Sequence, residues 1–245
     1  MSGSSNDRGR RRLLLGAAGA LAWPRARATA LPDCGAHRPL PPRVRLEFDA
    51  EASRGPLRLD GDNEIVFTAD GGRYRLRSVT RSVLFSAEQE SHGELADAAL
   101  VPHEYRERSA RRPARTTRID WHSGRVSFSA EAEHEARAQP LLQDRLSLLF
   151  TLGLRLRAQG AAAVELPVAG ARRIATYRFE HRGVHTVELP AGSFETHLLE
   201  RPLTADDDGL ELWLAPALCW LPVWLRFVDD RRQVVQNRLR AAHFD

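Results

Sequence analysis

"PLLQDRLSLLFTLGLRLRAQG", residues 140–160, is the stretch on which the fold turns. Leu146, Leu148, Phe150, Leu152, Leu154 and Leu156 alternate with other residues, which fits a strand. The same residues also fit a helix. Asp144 stands where a capping carboxylate would accept from the backbone N–H of residue 146 or 147. Arg155 and Arg157 suit the negative end of a helix, and Gly160 suits its stop. Leu favours helix, and β-branched residues are almost absent here. The balance predicts one helix at about 142–158. Leu falls on nearly every side of it, so it must be buried. Something has to surround it.

The surround is legible in the flanking segments. "VRLEFDA" puts Val44, Leu46 and Phe48 on one face and Arg45, Glu47 and Asp49 on the other. "NEIVFTADGGRYRLRSV" sets an Asp-Gly-Gly turn between two such runs, a hairpin signal. Similar runs continue through "RTTRIDWHSGRVSFSAEAE", with a Ser-Gly turn at 123–124. After residue 163 they return, with turns expected at Arg182-Gly183 and Ala191-Gly192. Short strands and tight turns predict a mainly β chain: an antiparallel curved sheet or half-barrel around the one buried helix. No fixed-length repeat is present. Residues 43–245 read as a single β-rich domain.

The N-terminus reads differently. Arg8, Arg10, Arg11 and Arg12 precede an apolar run from Leu13 to Trp23, and Ala28-Thr29-Ala30 supplies a small-x-small cleavage pattern. That is an export signal peptide over 1–30, too short in its apolar part to span a bilayer. Arg10, Arg11 and Arg12 before Leu13 fit the twin-arginine pattern loosely, and the general secretory route stays open. Cleavage would fall after Ala30. Residues 31–42, rich in Pro, form a linker. The leader holds Arg8, Arg10, Arg11, Arg12, Arg25, Arg27 and Asp7, so its removal takes the net charge from +4 to −1. A near-neutral mature chain is no phosphate binder, which excludes nucleic acid. The expected location is the periplasm, with no transmembrane segment in the mature chain. That compartment is oxidising. Cys34 and Cys219 could pair, but the bond would tie a tail to a strand. The expectation is two free thiols, with Cys219 packed as a small hydrophobe.

"WLAPALCWLPVWLRF", 213–227, is too short and too broken by Pro216 and Pro222 to span a membrane. It reads as two strands joined around Pro216-Ala217. Alternation places Leu212, Leu214, Cys219, Leu221, Val223, Leu225 and Phe227 on a core face. Trp213, Trp220 and Trp224, with Arg226, share the other face. That face is either buried by neighbouring strands or is an apolar binding surface, so the three tryptophans are the candidate site residues.

Catalytic and metal motifs are lacking. No nucleophile elbow, phosphate loop or Cys-pair motif occurs. His181 and His185 are four apart, but Gly183 marks a turn, so they read as solvated hairpin residues. Asp206-Asp207-Asp208-Gly209 reads as a solvated turn, without the alternation of a calcium loop. Asp144 reads as a cap and Ser147 as a structural serine. Arg106, Arg108, Arg111, Arg112 and Arg115, interleaved with Glu104 and Glu107, read as a solvated strand face; anionic headgroups or peptidoglycan are the alternative contact. The expectation is a non-enzyme with no cofactor, no metal and no catalytic residues.

A set of short motifs resembles the secreted bacterial family of domain of unknown function 3108. They are Leu100-Val-Pro102-His-Glu-Tyr105, Asp120-Trp121, Gln143-Asp144-Arg145-Leu146-Ser147, Leu189-Pro190-Ala191-Gly192, Trp213-Leu214-Ala215-Pro216 and Leu221-Pro222-Val223. Their order matches over about 44–242. Ala217 and Trp224 depart from the family's usual residues, so a role for Trp224 would belong to this chain alone. The resemblance implies a secreted, mainly β domain whose Gln-Asp-x-Leu-Ser segment is helical, and no known activity. Its shape is similar to the open half-barrels of periplasmic lipoprotein carriers. Two functions are therefore expected. One is a non-catalytic envelope protein binding an apolar or lipid-like component in its curved sheet, which requires a lined cavity. The other is an envelope structural or assembly factor with a filled core and an exposed apolar patch for a protein partner.

Overall fold

A computed structural model describes residues 34, 40–110, 112–130, 135–160, 163–204, 208–229 and 231–245. The leader residues Arg10, Arg11, Arg12, Ala28 and Ala30 lie outside this set, as does most of the 31–42 linker. The strands run β1 (Arg43–Arg54), β2 (Leu57–Asp70), β3 (Arg73–Ser82), β4 (Ser86–Ala96), β5 (Ala99–Ser109), β6 (Arg112–Asp120), β7 (Arg125–Phe128), β8 (Glu135–Arg137) and β9 (Gln143–Asp144). One helix, α1 (Ser147–Gln159), follows, then β10 (Val164–Ala169), β11 (Ile174–Leu189), β12 (Gly192–Arg201), β13 (Gly209–Ala215), β14 (Leu221–Val228) and β15 (Val234–Phe244). They form a single 15-stranded sheet in the order β8-β7-β6-β5-β4-β3-β2-β1-β15-β14-β13-β12-β11-β10-β9. Neighbours are antiparallel throughout, except β9 with β10. The fold is the expected curved, unclosed sheet around one buried helix.

Alternation builds the concave face. On β1, Val44, Leu46 and Phe48 point inward; Ile65 and Phe67 on β2 and Tyr74 and Leu76 on β3 join them. All are buried and pack with α1 in one core. Phe150 stacks on Phe67 with ring centroids 5.4 Å apart. Ser147 to Leu154 and Leu156 are all buried, so the helix is enclosed on every side. This resolves the ambiguous periodicity. A helix of this length is marginal alone in water. Burying Leu148, Phe150, Leu152, Leu154 and Leu156 contributes roughly 2 kcal/mol each, far above the few tenths that separate local propensities.

The register gives the sheet two distinct ends. The β2–β3, β4–β5, β11–β12 and β13–β14 connections lie at one, here the lower end. The β1–β2, β3–β4 and β14–β15 connections lie at the other, upper end. The helix closes the lower end. Its Thr151 hydroxyl accepts from the Leu100 backbone N–H at 3.0 Å, near the β4–β5 turn. Gly153 abuts the corner between β13 and β14 so closely that a Cβ there would lie 2.0 Å from the Trp220 carbonyl oxygen.

Four expectations change. The helix starts at Ser147, not 142, because Gln143 and Asp144 pair with Val168 and Ala169 as a short parallel strand. Asp144 still accepts from the Leu146 and Ser147 backbone N–H groups, both at 2.8 Å. Gly183 is no turn: β11 runs through it with an irregularity between His181 and Val184, where glycine's φ of 97° is needed. The β13–β14 corner is larger than a turn at Pro216-Ala217. A 3-10 turn over Pro216–Leu218 is followed by Cys219 and Trp220, both with positive φ. Finally, Cys34 and Cys219 form a disulfide. Leu40 is buried in the core and Cys34 packs on it, so the two sulfurs meet although the cysteines are 185 positions apart in sequence.

Gly153→Ala tests the helix–corner approach. The added methyl meets backbone, which has little freedom to retreat, so a loss of about 1–3 kcal/mol is expected in urea denaturation. An unchanged midpoint would show that α1 does not press on Trp220.

Candidate functional site

The segment Gln143 to Ser147 sends each polar side chain to a different part of the sheet. Gln143 donates to the Leu100 carbonyl at 3.0 Å and accepts from Thr151 at 2.8 Å. Asp144 accepts from the Ser91 hydroxyl at 2.5 Å, and Ser91 also bonds the Tyr74 hydroxyl at 2.8 Å. The Ser147 hydroxyl accepts from the Asp144 backbone N–H at 3.0 Å. Arg145 hydrogen-bonds Tyr177 on β11 and is attracted by the Glu107 carboxylate on β5. Tyr105 in turn accepts from Gln89 and donates to Glu107, at 2.8 and 3.0 Å. Nearby, Thr117 on β6 donates to the Gly170 carbonyl at 2.9 Å. This polar seam joins the two ends of the open sheet, with Ile119, Val126, Phe128, Leu142 and Ala169 packed beside it.

The seam is buried around Asp144, while Arg145 at its far side is exposed. Ser91, Asp144, Ser147 and Tyr74 are all buried. Burial raises the Asp144 carboxyl to about 6, against the lowering effect of its hydrogen bonds to Ser91 and the backbone. Burial, and then the adjacent Asp144, push the Tyr74 hydroxyl up as well. A carboxylate between two serines and a tyrosine has the composition of a catalytic cluster, and all four side chains are buried. Tyr74, Ser91, Tyr105 and Arg145 were not legible as partners in the sequence: they come from separate strands and meet only when the sheet curves.

The three candidate tryptophans do not form one open surface. Trp213 is only 7% exposed and stacks flat on Trp224, with centroids 4.2 Å apart. Arg238 lies over Trp224 on its far strand. Trp220 stands apart at the corner, against His197 at 4.6 Å. Of the two histidines read as solvated hairpin residues, His185 is exposed, while the His181 ring nitrogen lies 3.0 Å from that of His197 on the adjacent strand. Burial, and then His181, lower the His197 imidazole below its ordinary value. Among the described residues no group of three or more His, Cys, Asp or Glu side chains is placed to hold a metal. Of the acidic run, Asp206 and Asp207 lie outside the described residues, and Arg201 donates to the Asp208 carbonyl at 2.6 Å.

The open feature is at the upper end. Large inward residues give way there to small ones: Ala50 and Ala52 on β1, Gly61 on β2, Thr80 and Ser82 on β3. With Leu59, Phe85 and Val235 they line a largely apolar recess of about 240 Å³. Ala50, paired with Gly61 and Asn237, lies in one cross-strand row. The Asn237 Oδ1 is buried without a hydrogen-bond partner among the described residues. Phe227, expected in the core, is 37% exposed because it pairs with Val235 beside this mouth.

An open antiparallel sheet plugged at one end by a helix, with a shallow apolar mouth at the other, defines a barrel-like β protein. A family model described as "Protein of unknown function (DUF3108)" matches residues 51–231, and the chain belongs to that family. Among solved structures it is similar to the beta-barrel-like protein of domain of unknown function DUF1849 from Brucella abortus. The TM-score is 0.56 at 12% identity, over 84% of this chain and 99% of that one, a likeness of fold. No curated protein matches.

The buried carboxyl has a measurable signature. Folded, Asp144 holds its proton to about pH 6; unfolded, it releases it near 3.8. Its contribution is therefore full below the lower value and is lost as pH rises through the higher one, by roughly 3 kcal/mol. Asp144→Asn keeps an acceptor for the two backbone N–H groups and has no charge to form. Its stability relative to the parent is expected to climb between pH 4 and 7.5; a flat difference would mean that Asp144 ionises normally in the fold.

Proposed function

We propose that this chain is an exported, non-catalytic envelope protein whose upper recess holds a short apolar chain, such as one acyl segment of a lipid-like component. The observation that carries the reading is the recess itself. Among the described residues it is a largely apolar opening in a sheet whose concave face packs on α1 toward the other end. At about 240 Å³ it is below the usual 300–1,000 Å³ of a small-molecule site. That size suits one chain or a branched tip, not a whole lipid. The tryptophans contribute packing on the outer face and the corner, not the lining.

Two further features support the reading. The Cys34–Cys219 bond is chemistry suited to an oxidising compartment such as the periplasm. The carboxylate–hydroxyl cluster around Asp144 is buried and serves as a tie, which favours a role without catalysis. The alternative, an assembly factor acting through protein contacts, is favoured by the helix-filled core.

A fluorescent fatty acid titrated into the purified chain distinguishes them. Saturable binding is expected, weakened at least tenfold by Ala52→Phe, which fills the recess, at unchanged melting temperature. Absence of binding to the parent chain sinks the acyl reading. Export has its own assay: cell fractionation with thiol alkylation should find the chain in the periplasm with both cysteines blocked by oxidation. Replacing both by Ser should cost about 2–5 kcal/mol of stability. A cytosolic chain with free thiols would overturn the localisation.

A further inference from the structure

The corner between β13 and β14 is where separate parts of the chain are fastened together. Cys219 carries the disulfide to Cys34. The Trp220 carbonyl faces Gly153 of α1 with no room for a Cβ between them. The Trp220 ring stands against His197 of β12, with centroids 4.6 Å apart. Cys219 and Trp220 both hold positive φ, a backbone state that persists in such residues only where the surroundings enforce it.

His197 is itself held by a second histidine. The irregularity in β11 sets Val184 opposite His197 and His181 opposite Leu199, which leaves His181 diagonal to His197 across the ladder. The two rings have centroids 5.1 Å apart, and His181 Nε2 lies 3.0 Å from His197 Nδ1. At that distance one imidazole donates and the other accepts. A first added proton goes to the free nitrogen of the donor ring, and the bond survives. A second goes to the accepting nitrogen, so two N–H groups on two cations then face each other.

The charges near the pair do little to offset that repulsion. Glu195 on β12 favours protonation of His197. On β11, Glu180 and Arg182 flank His181, and Arg182 binds Glu180 and Glu200. The stretch from Leu212 to Leu225, which contains the corner, carries no charge. The helix that presses on the corner adds two cations beyond Gly153, Arg155 and Arg157. The Nε and Nη1 of Arg157 are buried without a hydrogen-bond partner among the described residues.

We propose that His181 and His197 form a proton-operated latch on this corner. At neutral pH their hydrogen bond holds His197 against Trp220, and double protonation releases the corner together with the later turns of α1 that rest on it. The sign follows from linkage. Burial, and then His181, lower the His197 imidazole from its ordinary 6.5. The contribution of the latch is therefore full above that value and is lost as pH falls through the lower, folded one. Asp144 runs the other way, since its contribution is lost as pH rises. The start of α1 thus stays tied in acid while the corner loosens, so the opening is local. The latch sits at the lower end and does not depend on what the upper recess holds.

The test is hydrogen exchange read by mass spectrometry on the purified chain with its disulfide intact, at pH 7.5 and pH 5.0, with rates corrected for the intrinsic effect of pH. Peptides over 153–159 and 215–221 are expected to lose at least tenfold in protection at pH 5.0, while those over 87–93 and 143–147 keep theirs. His181→Gln leaves a donor and an acceptor for His197 but only one titrating ring. It should keep the protection seen at pH 7.5 and reduce the acid loss to less than threefold. His197→Gln should reduce it likewise. His185→Gln removes an exposed ring whose nitrogen meets only the Arg182 carbonyl, and should leave the acid response whole. The proposal is overturned if the parent is equally protected at both pH values, if the acid loss spreads evenly over all four peptides, if His181→Gln and His197→Gln respond as the parent does, or if His185→Gln abolishes the response.

Discussion

The fold depends on one buried carboxylate. Asp144 reaches Ser91 on β4, the N–H groups that start α1 and, through Ser91, Tyr74 on β3. Its neighbours Gln143 and Arg145 extend the tie to the β5 backbone and to β11. An open sheet leaves unpaired edges, and this one has β8 and β9 at its ends. The segment 143–147 answers that constraint by crossing from one end to the other. It is a strand for two residues, a cap for two more, and then a helix that fills the interior. A partly satisfied polar group at that depth would cost more than it returns, and here each oxygen of the carboxylate has partners.

The helix explains the division of the interior. It occupies the lower end, where Val44, Leu46, Phe67 and Leu76 surround it. Beyond its reach the strands continue upward and their inward residues shrink to Ala, Gly, Thr and Ser. Large residues there would have nothing to pack on, and small ones leave a hollow. The recess therefore follows from a helix shorter than the strands around it. The same geometry sets the corner that carries the Cys34–Cys219 disulfide at the closed end.

Much of this was legible locally. The Asp-Gly-Gly turn at 70–72 joins β2 and β3 as read, because two consecutive glycines accept the positive φ a tight hairpin requires. The capping role of Asp144 was legible too, since it involves residues two and three positions away. The misreadings arose where local signals had competing tertiary solutions. Gly183 has the composition of a turn, yet in place it relieves an irregularity inside a long strand. Phe227 alternates with core residues, yet its row lies at the open mouth. The tryptophans share a face by counting, but the positive φ of Cys219 and Trp220 turns the chain and separates Trp220 from the stacked pair.

By itself the sequence determined the alternating strands, their hairpins, the one leucine-rich helix and its cap, because those features rest on neighbours a few residues apart. Only the tertiary structure decided the rest. Ser91 and Asp144 are 53 positions apart, and Cys34 and Cys219 are 185 apart. Such pairs meet through the curvature accumulated over a whole sheet, and no spacing along the chain encodes that curvature. The recess is the same kind of property: a volume left between helix and strands, belonging to no single segment.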